Sequence, residues 1–447
     1  MIAPWFFDRL RQWGDDKALV WNDTETNYAE ILRLSEQWSE ELARREVKAG
    51  QVVALVGSFS PNACASLIAL VKVGAIAVPL TPIMRAQHDK FMEIAEVRLS
   101  IEFDETDQPI FKDRDRAVTN PLTKKLIERG HPGLVIFSSG STGNPKGILH
   151  DLSAILEKFE KIRQKKTTLT FLLFDHIGGI DTLFNTFASG GTVVTVATRD
   201  PETVCRAIER HGVHTLPTSP TFLNLLLMSG VIEQHDLSSL KVIAYGTEPM
   251  PESTLKRLHE LLPDVALVQT YGMSELGVLR SRSRDSQSLW IKFTGESFEI
   301  KIVEGILWVR AKTAMMGYLN APDLFDKDGW LNTQDAVEVD GDYLRILGRA
   351  TELINVGGQK VYPAEVENFL LQLDNVEDVA VFGKPHPMMG QVVAARFKLK
   401  APEALDEFKR RMMTFAREKM ANYQIPRIVE LTDAEQFGAR FKKMRHG

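Results

Sequence analysis

Apolar and polar positions alternate along the chain in the manner of a parallel α/β fold. Short apolar runs typical of buried strands lie at 52–56, 75–80, 99–103, 168–174, 192–196, 213–217, 242–245 and 266–269. Stretches with the apolar spacing of helices lie between them, at 61–73, 86–96, 202–210, 221–228 and 252–262. Buried strands that alternate with helices predict βαβ units in a large parallel sheet body.

The pattern differs at the two ends of this body. Residues 1–50 carry helix-spaced apolar stripes and predict helices packed on the core. The polar segment 104–131 predicts irregular surface structure, and 298–310 and 334–347 predict β hairpins. The tail predicts a compact α+β unit. We therefore expect an α/β fold with three parts: a large domain at 1–348, a hinge at 349–352 and a small mobile domain at 353–447.

Composition and net charge argue against nucleic acid and membranes as partners of the chain. The 447 residues are 44% hydrophobic and 25% charged, and the net charge of −5 gives no basic footprint for nucleic acid or for a membrane surface. The two cysteines, Cys64 and Cys205, have no metal-site spacing, and the chain shows no signal-peptide pattern. The most apolar run, 63–80, is interrupted by Lys72, Gly74 and Pro79, so no membrane span is expected. A cytoplasmic protein is predicted.

One loop suggests phosphate chemistry. The strand at 134–137 leads into Ser-Ser-Gly-Ser-Thr-Gly-Asn-Pro-Lys-Gly, residues 138–147. Small residues allow close approach of backbone N–H groups to an anion, hydroxyls can donate to phosphate oxygens, and Lys146 adds a positive charge. The spacing is not that of the NTPase P-loop, because no Gly-Lys-Ser/Thr follows. A flexible surface turn is the alternative.

Other loops at strand ends complete a set suited to a nucleotide. Tyr271 could stack on a base, Asp335 beside Arg349 could accept hydrogen bonds from ribose hydroxyls, and Glu275 could hold Mg²⁺ against phosphate oxygens. Structural alternatives exist for each of them. Tyr271 could be a core aromatic, Asp335 a turn residue, and Glu275 an acid favoured at a helix N-terminus.

These motifs, taken in order, resemble the adenylate-forming superfamily, which includes acyl- and aryl-CoA synthetases, nonribosomal peptide adenylation domains and firefly luciferase. The resemblance runs from about residue 15 to 445. It rests on six segments in the order that the family has, at 137–147, 246–249, 271–275, 317–320, 329–335 and 348–367. Gln334 stands where the family usually has glycine.

The resemblance implies a set of site residues. Thr142, Lys146, His176 and Glu275 would be catalytic, and Glu275 and Thr142 would hold the metal. The nucleotide would be bound by Ser138, Ser139, Gly140, Ser141, Thr142, Gly143, Lys146, Gly246, Thr247, Glu248, Gln269, Thr270, Tyr271, Gly272, Met273, Ser274, Asp335 and Arg349. A packed histidine at 176 is an equally open interpretation.

The implied activity is a two-step ligation that uses ATP and Mg²⁺. A carboxylate attacks the α-phosphorus of ATP to give an acyl-AMP and pyrophosphate. The small domain then rotates, and a thiol of CoA or of a carrier-protein phosphopantetheine displaces AMP, with the loop 357–363 along that arm. The acid pocket would be lined by 174–180, 244–249 and 270–279 and would suit a small or medium apolar or aromatic acid.

Two alternatives stay open. Phe174-Asp175 resembles the pair that binds the α-ammonium group in amino-acid-activating relatives, which predicts an amino-acid or aryl-acid adenylation enzyme that loads a carrier protein. A protein that binds an adenylate without turnover is the alternative from another class.

The C-terminus departs from the family pattern. Ala439 follows Gly438 where the family has a lysine that contacts the acid and the α-phosphate. An alanine substituted for a natural lysine, a shifted register in which Lys442 or Lys443 serves, and a naturally divergent member are the three explanations. In each case we expect slow acyl-AMP formation, and Ala439→Lys tests this assignment.

Overall fold

The structure is a computed structural model that describes residues 3–114, 116–138, 144–417, 420–438 and 440–445. Within these ranges the helices are α1 (Pro4–Trp13), α2 (Tyr28–Arg44), α3 (Pro61–Val73), α4 (His88–Ile94), α5 (Pro121–Arg129), α6 (Leu152–Glu157), α7 (Ile177–Ala188), α8 (Pro201–His211), α9 (Pro220–Ser229), α10 (Glu252–Leu261), α11 (Pro363–Leu370) and α12 (Leu405–Arg417). Short 3₁₀ turns lie at Pro82–Gln87, Val231–Gln234 and Ala350–Glu352.

The strands up to the middle of the chain are β1 (Lys17–Trp21), β2 (Thr24–Asn27), β3 (Val52–Val56), β4 (Ile76–Leu80), β5 (Leu99–Phe103), β6 (Pro109–Asp113), β7 (Gly133–Ser138), β8 (Lys146–Asp151), β9 (Thr167–Leu169), β10 (Thr192–Val194), β11 (Thr215–Thr218), β12 (Val242–Tyr245) and β13 (Ala266–Gln269). They are followed by β14 (Tyr271–Met273), β15 (Gly277–Leu279), β16 (Ser281–Ser283), β17 (Trp290–Phe293), β18 (Phe298–Val303), β19 (Ile306–Ala311), β20 (Gly317–Tyr318), β21 (Leu331–Asp340), β22 (Tyr343–Arg349), β23 (Ile354–Val356), β24 (Gln359–Val361), β25 (Val376–His386), β26 (Gly390–Leu399) and β27 (Ile428–Leu431).

Two seven-stranded sheets form the large body. Their strand orders are β13-β12-β11-β9-β10-β1-β2 and β20-β8-β7-β4-β3-β5-β6. The inner strands pair in parallel, as β3 does with β4 and β5, and both β3 and β4 are buried along their full length. Strands covered on both faces require continuous apolar runs, which explains the pattern of the sequence. The predicted parallel α/β body is confirmed.

Two segments differ from the sequence-based expectation. The prediction that residues 1–50 are only helical is wrong, because β1 and β2 separate α1 from α2. Strand β1 pairs in parallel with β10, and a run this short gains its stability from that distant pairing. Segment 104–131 is also more regular than predicted, since it contains β6 and α5. Asn120 caps α5, Pro121 begins it and Gly130 ends it, signals that favour a helix.

The remaining strands form smaller sheets. A six-stranded antiparallel sheet has the order β16-β17-β22-β21-β19-β18, which contains both predicted hairpins. Strand β22 ends at Arg349, and the next strand, β23, already belongs to a five-stranded sheet with its own apolar core between Ile354 and Val429. The change of sheet falls at the predicted hinge, while the domain boundaries and the mobility of the small domain stay predictions.

Among the helices in the described ranges, none is both long and apolar enough to cross a membrane.

A buried carboxylate ties the C-terminal segment to α11 within the small domain. Glu367, on α11, lies 2.8 Å from Arg445 and accepts a hydrogen bond from the backbone N–H of Val381. Burial alone would raise the pKa of Glu367, but the charges of Arg445 and Lys443 outweigh burial and lower it. Breaking a buried ion pair by removing one partner leaves the other charge uncompensated.

We therefore expect Glu367→Gln to lower the free energy of unfolding by about 3 kcal/mol at pH 7. Because the folded pKa is lowered, the contribution is complete above the ordinary glutamate pKa of about 4.3 and is lost as the pH falls through the folded value. Urea unfolding at pH 7 and pH 3 measures both effects. The control is Glu430→Gln, whose pair with Arg396 is partly exposed, and we expect a loss of less than about 1 kcal/mol. Equal losses in the two variants would show that Glu367 is not the stabilising group.

Candidate active site

Strands β7 and β8 position the predicted phosphate lysine. They pair antiparallel, with Ser138 opposite Lys146, so the predicted phosphate loop connects two neighbouring strands at one edge. The amide of Asn320 accepts from Gly147 N and donates to the carbonyl of Pro145, both at 2.9 Å, which fixes the backbone on either side of Lys146. The predicted site residues Ser139, Gly140, Ser141, Thr142 and Gly143 lie outside the described residues.

Lys146 and Glu275 meet at one aromatic side chain. The ammonium of Lys146 lies 5.0 Å from the centre of the Tyr318 ring, and the Tyr318 hydroxyl donates to Glu275 Oε1 at 2.6 Å. The backbone beside Glu275 is fixed by the buried His150, whose Nε2 donates to the Ser274 carbonyl at 2.7 Å. Burial raises the pKa of Tyr318 and the charge of Glu275 adds to the effect, so the hydroxyl stays a donor.

The predicted ribose residues form a second network. The Tyr271 hydroxyl donates to Asp335 Oδ2 at 2.5 Å, and Arg349 Nε lies 3.0 Å from Asp335 Oδ1. Asp335 is opposite Arg349 in the register of β21 and β22, so the hairpin itself creates the pair. Gln334 has φ of +60°, the conformation that glycine adopts without strain, which accounts for the glycine usual in the family. The Tyr271 ring packs edge-to-face on Phe293.

These two networks adjoin one another. Tyr271, which donates to Asp335, begins β14, and Glu275, which accepts from Tyr318, follows two residues after that strand ends. The structure thus brings Lys146, Glu275, Asp335 and Arg349 into one region, although they come from three separate parts of the chain.

The predicted adenine segment is tightly built. A Cβ on Gly246 would lie 2.8 Å from the carbonyl of Thr270, so only glycine fits there. Thr247 has φ of +73°, an uncommon conformation for a β-branched residue and one found at functional sites. Gln269 is buried at the end of β13, and Thr270 donates to the Tyr245 carbonyl at 3.1 Å.

Strand β14 continues this edge of the site. It contains Gly272 and Met273 and is followed by Ser274. A Cβ on Gly272 would lie 2.7 Å from the carbonyl of Gly277 in the paired strand β15, so the close approach of the two strands requires glycine.

Glu248 makes contacts that the sequence did not indicate. Its carboxylate accepts from the backbone N–H of Thr221 at 2.7 Å and from that of Lys443 at 3.1 Å. It therefore joins the large body to the C-terminal segment.

The predicted acid-binding segment is buried. His176 caps α7, and its Nδ1 accepts from Gly178 N at 3.0 Å, which places the ring proton on Nε2. Burial and the charge of Arg440 lower the pKa of His176 to about 4, so the ring is neutral at pH 7. Asp175 is 3% exposed, its Oδ2 lies 2.8 Å from Arg440 and 3.0 Å from the Thr81 hydroxyl, and Oδ1 has no partner among the described residues.

The C-terminal lysines differ in environment. The ammonium of Lys443 lies 2.8 Å from Asp378 and from the carbonyl of Val379, so it is committed to contacts within the small domain. Lys442 is exposed, and the described residues include no hydrogen bond or ion pair of its side chain. Ala439 lies outside the described residues, so the expectation about it stays a prediction.

Sequence reasoning left several contributors out of the site. Tyr318 and Asn320 belong to a segment already recognised at 317–320, and their order within that motif was the available signal. His150 and Arg440 had no comparable signal, because their contacts depend on residues more than a hundred positions away.

The chain is similar to known proteins over most of its length. A family model described as AMP-binding enzyme matches residues 6–319, and one described as AMP-binding enzyme C-terminal domain matches 365–442. A 2-succinylbenzoate–CoA ligase of Bacillus cytotoxicus is 30% identical over 96% of this chain and 94% of its own. The 3-[(3aS,4S,7aS)-7a-methyl-1,5-dioxo-octahydro-1H-inden-4-yl]propanoyl:CoA ligase of Rhodococcus jostii is 31% identical, and the match covers 67% of this chain but only 61% of that protein.

Solved structures show the same fold. An anthranilate CoA ligase in complex with anthranoyl-AMP superposes with a TM-score of 0.84 at 22% identity, covering 98% of this chain and 95% of that one. An o-succinylbenzoate CoA synthetase of Bacillus subtilis, in complex with its acyl-adenylate, has a TM-score of 0.78 at 23% identity, covering 99% and 96%. The predicted fold class is confirmed by this agreement over nearly the whole chain.

Proposed function

Because the chain belongs to the AMP-binding enzyme family, we propose that it is an ATP-dependent carboxylic acid ligase that forms an acyl-AMP and then a thioester. The observation that carries the proposal is the convergence of Lys146, Glu275, Asp335 and Arg349 on one region. Lys146 has the charge that phosphates require, and Glu275 has the charge that a metal ion requires. Asp335, beside Arg349, offers acceptors to the ribose hydroxyls of the same nucleotide.

In the first step an oxygen of the acid attacks the α-phosphorus of ATP. The new P–O bond forms as the bond from the α-phosphorus to the bridging oxygen breaks, and pyrophosphate leaves. Two anions must approach each other, so positive charge near the phosphates lowers the barrier. Lys146 supplies that charge, and Asp335 holds the ribose so that the α-phosphorus faces the acid.

His176 binds the carboxylate of the substrate acid. Because its Nδ1 already accepts from Gly178 N, the Nε2–H is the donor that remains for the carboxylate of the substrate. A neutral donor orients the acid without neutralising the carboxylate. The carboxylate must keep its negative charge in order to attack the α-phosphorus.

Magnesium fits the residues that are present. In the described ranges no cluster of three or more metal-ligating side chains occurs, and Glu275 offers a single carboxylate. That is the usual arrangement for Mg²⁺, which binds one or two carboxylates and takes its other ligands from substrate phosphates and water. When bound, the ion would neutralise phosphate charge, with Glu275 and the predicted ligand Thr142 holding it.

The second step is the attack of a thiol sulfur on the acyl carbon, which forms the thioester as the bond to AMP breaks. CoA is the acceptor that the relatives named as CoA ligases favour. Gly357 and Gly358, with φ of +59° and +90°, form a turn, and the space beside Gly358 is free for an extended pantetheine arm to lie against the backbone. A carrier-protein acceptor remains the alternative.

The test is ATP–pyrophosphate exchange over a panel of aryl, fatty and amino acids. We expect acid-dependent exchange, strongest with an aryl or apolar acid, because the two solved structures described above hold anthranoyl-AMP and the o-succinylbenzoate acyl-adenylate. Exchange with amino acids alone would instead favour the ammonium-binding role of Asp175. Nucleotide binding without exchange on any acid would support the non-catalytic binding protein.

A further inference from the structure

One edge of the six-stranded antiparallel sheet is open. Strand β18 is the last strand in the order of that sheet, and within the residues that the structure describes β19 is its only strand partner. An open edge presents unpaired backbone N–H and C=O groups, with which a strand of another molecule can pair. The register and the side chains of β18 therefore decide which strand fits this edge.

The register of the hairpin fixes which backbone groups of β18 point outward. Lys312 N donates to the carbonyl of Ser297, the residue just before β18, at 2.9 Å. Because such bonds alternate along an antiparallel pair, the odd-numbered residues of β18 bond to β19. The N–H and C=O groups of Phe298, Ile300 and Ile302 therefore point away from β19, toward the open edge.

The side chains of β18 alternate between the two faces of the sheet. Phe298, Ile300 and Ile302 share one face, and both isoleucines lie opposite buried residues of β19. This face of β18 thus continues the apolar core of the sheet. The core ends incompletely covered, since Ile300 and Ile302 are each 37% exposed. An apolar strand placed beside β18 would complete it.

The other face of β18 carries two opposite charges. Glu299 forms an exposed ion pair with Arg310 at 2.7 Å, and the Lys301 ammonium lies 4.4 Å from the centre of the Trp330 ring. A single charge on an edge strand usually protects it from pairing. Two opposite charges that stand two positions apart act differently, because they disfavour some registers and favour another.

A second copy of β18 fits this edge in one register. If two copies pair antiparallel about Glu299 or about Lys301, like charges lie directly opposite each other, which is destabilising. If they pair about Ile300, Glu299 of each copy lies opposite Lys301 of the other, and Phe298 lies opposite Ile302. All the outward N–H and C=O groups of the strand are then paired, and the apolar side chains meet on one face.

We propose that the outer edge of β18 is an interface between two copies of this chain, paired antiparallel about Ile300. The same strand serves in both copies, so the two sheets become one continuous sheet across a twofold axis. A strand pair of six residues is smaller than the roughly 1,000 Å² of a stable interface, so the dimer is weak, with a Kd on the order of tens of micromolar. The inference is independent of the proposed function, because it uses no residue of the candidate active site.

Sedimentation velocity of the full chain, from about 1 to about 200 µM, measures the dimer. We expect the unaltered chain to shift from monomer to dimer across this range. Glu299→Lys and Lys301→Glu each place like charges opposite one another, so each should weaken dimerisation about tenfold or more. The double variant, and a mixture of the two single variants, bring opposite charges together again, and the dimer should return in both.

Two further variants separate the backbone pairing from general effects of charge. Ile300→Pro removes an outward N–H without breaking a bond to β19, and it should leave the chain monomeric. Lys292→Glu reverses an exposed charge on β17 of the same sheet and should leave the dimer unchanged. Thermal melting of each variant shows that the fold is retained.

Three results would overturn the inference. A chain that stays monomeric over the whole range would show that Glu299 and Lys301 protect the edge from pairing. A dimer that survives both single charge reversals would place the interface on another surface. A double variant that stays monomeric with an intact fold would exclude the register about Ile300.

Discussion

Replacing Lys146 by alanine is expected to lower the rate of ATP–pyrophosphate exchange by about a hundredfold, the usual cost of removing a preorganised charge from a transition state. Asn320 fixes the backbone on both sides of Lys146. The ammonium of Lys146 lies over the Tyr318 ring, beside Glu275. The charge is therefore held in place before the reaction begins. Steady-state exchange at saturating ATP and acid measures the effect.

Two further variants make this result specific. Lys146→Arg keeps the charge and should retain part of the activity, although the guanidinium cannot reproduce the point charge of an ammonium. Lys161→Ala removes an exposed lysine and should change nothing. An exchange rate that stays normal in Lys146→Ala would remove Lys146 from the list of catalytic residues.

The second large effect is expected at Asp335. Asp335→Asn keeps the size of the side chain but removes the charge that accepts a hydrogen bond from Tyr271 and forms an ion pair with Arg349. Hydrogen bonds to a charged group contribute about 1.5–3 kcal/mol each, so losing two to the ribose should weaken ATP binding by about a hundredfold or more. Calorimetric titration with ATP and Mg²⁺ measures the change in Kd.

The neighbouring tyrosine supplies the comparison. Tyr271→Phe removes one hydrogen bond to Asp335 and leaves the carboxylate in place, so we expect a loss of about tenfold at most. Thermal melting of both variants shows whether the fold is retained. ATP affinity that is unchanged in Asp335→Asn, with an intact fold, would mean that the ribose lies elsewhere.

Much of this architecture could be predicted from the sequence because the signals are local. The strands β3 and β4 are buried on both faces and so appear as continuous apolar runs. The order of the polar motifs carries the family resemblance. Asp335 lies in the predicted hairpin 334–347, and Arg349 lies two residues beyond it; in the structure β22 extends to Arg349, and its pairing with β21 places the two residues opposite each other.

The remaining features depend on contacts between distant parts of the chain. Strand β1 exists because it pairs with β10, and Glu248 contacts the C-terminal segment through the backbone N–H of Lys443. The Arg440–Asp175 pair spans 265 positions of sequence. No periodicity or spacing near either residue indicates such a contact, since a single arginine in a basic tail looks like a solvated charge.

In the proposed reaction, one site first joins an acid to AMP and then transfers the acyl group to a thiol. The most direct measurement mixes the protein with ATP, Mg²⁺ and the acid that supports exchange, and then adds CoA, with mass spectrometry of samples before and after the addition. We expect acyl-AMP and pyrophosphate in equal amounts before CoA, and a thioester with AMP after it. Formation of ADP and phosphate, or an acyl-AMP that CoA leaves unconsumed, would contradict the account.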